Sequence, residues 1–145
     1  MAAAPTNGSN TTPGPHARRL MAALDGIAGD IARARHLTAD FLTRPHPDPA
    51  PTPRVVELAR LVVSELVTNA CKYAPGPLVM ELRLTGATLR IEVRDSAPMP
   101  PIARAADPTR VGRHGLEIVT ALTEGVEVRP ETNGKRVIAH LPLHP

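Results

Sequence analysis

The sequence predicts an α/β (α+β) two-layer sandwich: an open, mainly antiparallel mixed sheet with its helices packed on one face. Three observations predict it. Two stretches, Ile27 to Thr43 and Pro53 to Tyr73, carry apolar residues at helical spacing. Two short runs around Thr85-Gly86-Ala87-Thr88 alternate apolar and charged residues, the pattern of an antiparallel hairpin with one wet face. A third helix pattern and a second pair of strands follow, giving the order helix, helix, strand, strand, helix, strand, strand.

A chain of 145 residues, 42% of them apolar, is long enough for one domain with one real core. Phe41 and Tyr73 are its only aromatics, so that core must be aliphatic. A formal charge of +3 with no dense basic run and no aromatic stacking platform argues against direct nucleic-acid binding. The single cysteine, Cys71, excludes an internal disulfide and reads as a small buried apolar residue. No apolar run reaches the length of a membrane span and no hydrophobic signal core opens the chain, so we expect a cytoplasmic protein.

Residues 1–19 are rich in Ala, Pro, Gly, Ser, Thr and Asn without periodicity, and we expect a disordered leader. The folded domain is expected over residues 20–145, with Leu20 to Leu24 compatible with either strand or helix. In the first helix, Ile31, Ala34, Leu37, Thr38, Phe41 and Leu42 form the stripe, and Asp30 serves as a cap or lies in the first turn. Alternating prolines from Arg44 to Pro53 make an extended connection. His46 within it has no companion at ligand spacing and reads as a surface histidine. Pro53 suits the first turn of the second helix, which Ala74-Pro75-Gly76-Pro77 ends.

The strands follow. Leu78, Met80, Leu82 and Leu84 point one way; Leu89, Ile91 and Val93 face the core, while Arg90, Glu92 and Arg94 face water. Asp95 has the parity of Leu89, Ile91 and Val93, so it points to the buried side, where a carboxylate must be paired or must bind something. Ser96 to Val111 has four prolines and no pattern, a length of loop that is usually functional. It leads to Gly112-Arg113-His114-Gly115 and a helix with Leu116, Val119 and Leu122 apolar. Glycines leading into a helix N-terminus leave free N–H groups that suit phosphate. A strand from Gly125 to Arg129, an Asn133-Gly134 turn signal and a strand from Lys135 to Leu141 complete the sheet.

The second helix holds the sharpest feature. Glu65 and Asn69 stand four residues apart, on one helical side and about one turn from each other. They lie amid Leu, Val and Ala, where a desolvated polar group must find a partner. A bound metal–anion complex would supply one.

Taken together, Ser64-Glu65-Leu66-Val67-Thr68-Asn69-Ala70, then Val93-Arg94-Asp95, then Gly112-Arg113-His114-Gly115-Leu116-Glu117-Ile118-Val119 make a nucleotide-site pattern. It resembles the ATPase superfamily of DNA gyrase, the heat-shock chaperone ATPases, histidine kinases and the MutL mismatch-repair ATPases. Among these, a short stand-alone chain is similar to the anti-sigma-factor serine/threonine kinases. The resemblance covers about Ile27 to Leu143 and implies the Bergerat ATP-binding fold, with ATP and Mg²⁺ as cofactors. It implies that Asn69 coordinates the Mg²⁺, that Glu65 is the general base, and that Asp95 accepts from the adenine amino group. Gly112, Gly115 and Leu116 would border the phosphates, with Arg113, His114, Arg110 and Lys72 offering positive charge. The implied activity is phosphorylation of an anti-sigma-factor antagonist by a protein that also controls a sigma factor, and dimers are common among such proteins. In place of the family's Asp-x-Gly-x-Gly, this chain has Asp95-Ser96-Ala97-Pro98-Met99, so both glycines are missing. That departure sustains an alternative: a non-catalytic module that sequesters a regulatory protein.

Overall fold

The computed structural model describes residues 18–45, 50–96 and 113–143, with the backbone alone for 113–116 and 118. The hairpin at its centre joins β2 (Leu78–Thr85) to β3 (Thr88–Asp95), paired from Leu78↔Asp95 to Thr85↔Thr88. The sheet order is β1-β2-β3-β5-β4, with β1 (Arg18–Leu24), β4 (Val126–Glu131) and β5 (Gly134–Pro142), and every described pairing is antiparallel. Pro130 sits in the edge strand β4, where its missing N–H costs no ladder bond.

The first strand is an addition to the expected order. Arg18-Arg19-Leu20-Met21-Ala22-Ala23-Leu24 forms β1 along the whole of β2. Residues 1–17 of the expected leader lie outside the described residues, and its last two, Arg18 and Arg19, open β1. The hairpin turn between β4 and β5 also shifts by one. Glu131 pairs Gly134, so Thr132 and Asn133 are the turn, and Gly134 begins β5.

α1 (Gly29–Thr43) and α2 (Pro53–Tyr73) pack on the face carrying Leu78, Met80, Leu82, Leu89 and Ile91, and α3 (Arg113–Leu122) packs beside α2. The expected stripe of α1 holds: Ala34, Thr38, Phe41 and Leu42 are buried. Asp30 lies in the first turn and reaches backward, accepting from the Gly26 N–H at 2.6 Å and the Ile27 N–H at 3.0 Å. Thr52 caps α2 by accepting from the Val55 N–H, with Pro53 at the first helical position. The core is aliphatic apart from Phe41. Among the described residues, no helix is long and apolar enough to cross a membrane.

The opposite face of the sheet is wet as expected at Arg19, Arg83 and Arg94, but its carboxylates correct the expectation. Glu81 and Glu92, neighbours across β2 and β3, are only 5% and 2% exposed. Arginines cover them: Arg19 and Arg83 pair Glu81, and Arg90, Arg94 and Arg136 surround Glu92. Two carboxylates directly opposite each other would repel. The guanidinium forks neutralise both, and their stems shield them from water. Burial alone pushes the Glu81 carboxyl up, but hydrogen bonds and charge from Arg83 and Arg19 outweigh it and hold the group below the usual carboxylate range.

Candidate functional site

One end of the sheet collects the candidate residues, and the connections explain why. α2 passes into β2 through only Ala74 to Pro77, so its C-terminal turns sit at the end of the sheet where Leu78 pairs Asp95. Ser96 secures that corner, its hydroxyl donating to the Pro77 carbonyl at 3.0 Å. β5 begins at the same end, beside the last residues of β3. The C-terminal end of α3 is tied to the other end, where the Glu124 N–H donates to the His140 carbonyl.

Glu65 and Asn69 are both half-buried on α2, one turn apart. Neither side chain has a hydrogen-bond or ion-pair partner among the described residues. Around them Leu61 is 39% exposed, while Leu66, Val67 and Ala70 are buried beneath. Lys72 is exposed, and its ammonium lies 5.8 Å from the centre of the Tyr73 ring. Arg113, His114, Gly115 and Leu116 form the first turn of α3, so Gly115 is inside the helix rather than ahead of it. Gly112, Arg110 and the loop residues Ala97 to Met99 lie outside the described residues. The structure thus brings Glu65 and Asn69 together on one helix, and Asp95 to the sheet end that α2 reaches.

Asp95 follows its strand parity: it is 5% exposed, beyond Leu89, Ile91 and Val93 on the helix-facing side. It is also paired. Its Oδ1 accepts from the Lys135 backbone N–H at 3.2 Å, and its Oδ2 from the Lys135 ammonium at 2.9 Å. Gly134 makes this possible. Its φ is +125°, and a Cβ there would overlap the Asp95 carbonyl and stand 2.6 Å from Oδ1. Lys135 and Gly134 were missed in the sequence, although a signal was present. Lys135 shares the parity of Val137, Ala139 and Leu141, so a lysine at the start of β5 points inward.

Among the described residues no group of three His, Cys, Asp or Glu side chains could hold a metal ion. A metal held here would need ligand oxygens and water around Asn69, which is how Mg²⁺ is commonly bound. The free amide of Asn69 and carboxylate of Glu65 are oxygen donors of the right class and fit that group. A separate cleft of about 260 Å³, lined by Ala32, Arg35, His36, Ala39 and Arg60, opens between α1 and α2 and contains none of the expected site residues.

Comparison with known proteins bears on the fold and the family. A structure of the RsbU and RsbW domains of Rv1364c from Mycobacterium tuberculosis is similar in fold, with a TM-score of 0.66 and 17% identity. The match covers 87% of this chain and 32% of that one, so the chain spans about a third of its length. A histidine kinase domain from the blue-light activated histidine kinase of Erythrobacter litoralis EL346 matches at 22% identity and a TM-score of 0.46, over 79% of this chain and 60% of that chain. None of the curated proteins matches. The family model described as a histidine kinase-like ATPase domain matches residues 24–141, from the end of β1 to the end of β5. The chain belongs to the histidine kinase-like ATPase domain family.

Proposed function

We propose that the chain is a cytoplasmic MgATP-binding regulatory protein that phosphorylates a hydroxyl on a protein partner, an anti-sigma-factor antagonist, within a switch that controls a sigma factor. The observation that carries this reading is the free pair on α2: a carboxylate and an amide, half-buried, one turn apart and without side-chain partners among the described residues. A helix that only fills a core has no use for two such groups. Family membership supports nucleotide as the ligand that satisfies them.

Each residue has a part in this reading. The Asn69 side-chain oxygen would ligate Mg²⁺, which would supply positive charge against the phosphates. Glu65, one turn away, would take the proton from the attacking hydroxyl; a base of this kind must lie within hydrogen-bond reach of that proton. Asp95 would accept from the adenine amino group. Backbone N–H groups in the first turn of α3 would face the phosphates, since four such groups at any helix start lack intrahelical partners.

Incubation with labelled ATP and candidate antagonist proteins tests the assignment. Glu65→Gln should retain ATP binding and lose transfer by roughly 10²–10⁴-fold, the usual contribution of a general base. Asn69→Ala should bind ATP at least about tenfold more weakly when Mg²⁺ is present, with its melting temperature unchanged, since its side chain bonds to nothing among the described residues. Full transfer by Glu65→Gln, or parental MgATP affinity in Asn69→Ala, refutes the corresponding role. The second reading, a sequestering module without catalysis, is favoured by Ala97 and Met99 in place of two glycines. It predicts ATP binding with transfer to no partner.

A further inference from the structure

We propose that Lys135 is a base-reading residue: its ammonium, held against Asp95, donates to the N1 ring nitrogen of adenine while Asp95 accepts from the neighbouring amino group. This rests on the nucleotide reading above and adds a specificity-determining residue to it.

The geometry around Asp95 is built to hold this lysine. Backbone and side chain of Lys135 bond to different oxygens of one carboxylate, at 3.2 and 2.9 Å. Gly134, lacking a Cβ, lets β5 approach closely enough for both bonds. Strand parity places Lys135 on the same helix-facing side as Asp95, and its side chain keeps 19% of its surface exposed. An ammonium has three donors. One is spent on Asp95, and no other partner of Lys135 exists among the described residues.

A carboxylate by itself can only accept, so it matches one atom of the base edge, the exocyclic amino group. Adenine presents a donor and an acceptor side by side, the amino group and N1. A carboxylate with an ammonium fastened to it presents the complementary couple. Stability does not explain the couple equally well, because a buried ion pair often contributes no more than apolar residues of the same volume. It also matters for charge. A polyanionic ligand meeting a lone buried carboxylate is repelled, whereas the Asp95–Lys135 pair is neutral overall.

The test pairs a change in the protein with a change in the ligand. Titration calorimetry of the full chain with Mg²⁺ compares ATP with 1-deaza-ATP, in which N1 is a C–H and the amino group is kept. The parent should prefer ATP by about tenfold. Lys135→Met should bring that preference below about twofold, and Lys135→Arg, which keeps a charged donor, should restore most of it. A lysine that merely props Asp95 would weaken both ligands alike in Lys135→Met and leave the preference intact, which overturns the proposal. Equal binding of the two ligands by the parent overturns it without any variant. A parent that binds neither ligand refutes the nucleotide reading itself, a different outcome from either of these.

Discussion

Replacing Gly134 with alanine strikes the closest contact at the candidate site. Two costs add. At φ +125° an L-residue is held in a region that only glycine occupies readily, a strain of about 1–3 kcal/mol. The new methyl would also overlap the Asp95 backbone carbonyl and press on Oδ1 at 2.6 Å. Backbone cannot turn away as a flexible side chain can, so β3 and β5 must separate locally, an overpacking cost of about 1–3 kcal/mol. The sum is roughly 4 kcal/mol, a large share of the ~5–15 kcal/mol that holds a domain together. For a chain of this size, ~2–4 °C per kcal/mol translates it into a fall in melting temperature of about 8–16 °C. Circular dichroism melts measure it, with two glycines as controls. Gly86→Ala meets nothing within 4 Å but has φ +57°, so it should carry backbone strain alone, about 1–2 kcal/mol. Gly29→Ala meets nothing and needs no positive φ, so it should melt with the parent or slightly above it. If Gly134→Ala melts within about 3 °C of Gly86→Ala, the close approach to Asp95 does not exist in solution.

Two further predictions concern titratable groups. Because Arg83 and Arg19 hold the Glu81 carboxyl below its usual range despite burial, its contribution is complete above the unfolded value of about 4.3 and is lost as pH falls through the lower folded value. Glu81→Gln should therefore melt below the parent at pH 7 and converge with it as the pH drops under 4; melts between pH 3 and 7 that stay parallel refute this. Burial, and then the charge of Asp30, raise the Cys71 thiol, which also leans on the Ile27 carbonyl at 3.6 Å. Thiol-reagent labelling at pH 7.5 should be slower in the native chain than in urea, since the thiolate is the reactive form; equal or faster native labelling would contradict it.

Most of the fold could be read from the sequence because its elements carry strong periods. Both ends of α2 were fixed by chemistry that acts locally, a proline at the start and a Pro-Gly-Pro cluster past the end. The parity of β2 and β3 put Asp95 on the buried side without any knowledge of the sheet. β1 was not decidable. Its Met-Ala-Ala core has no β preference of its own, and what makes it a strand is the open edge of β2, a partner more than fifty residues away. The burial of Glu92 was missed for a related reason. Period two says which face a residue points to, but the arginines that cover it come from two strands, and Arg136 lies on β5. Glu65 and Asn69 were legible because a single helix displays both; Lys135 depended on the pairing of β3 with β5.

The buried and half-buried carboxylates can be ordered by how far the fold itself satisfies them. Glu92 has three guanidinium groups around it and Glu81 has two, so the fold neutralises the charge of both, although the Glu92 Oε1 is buried with ion pairing and no hydrogen bond. Asp95 has one cation, the Lys135 ammonium on Oδ2, with the Lys135 backbone N–H on Oδ1, and that ammonium still has donors of its own to spare. Glu65 has no side-chain partner among the described residues, and neither does Asn69 beside it. A half-exposed polar group without a protein partner is left to water, and it can exchange that water for a ligand. The order of satisfaction is therefore an order of function. Substitutions at Glu81 and Glu92 should act on stability, those at Asp95 and Lys135 on stability and ligand preference together, and those at Glu65 and Asn69 on ligand and chemistry alone.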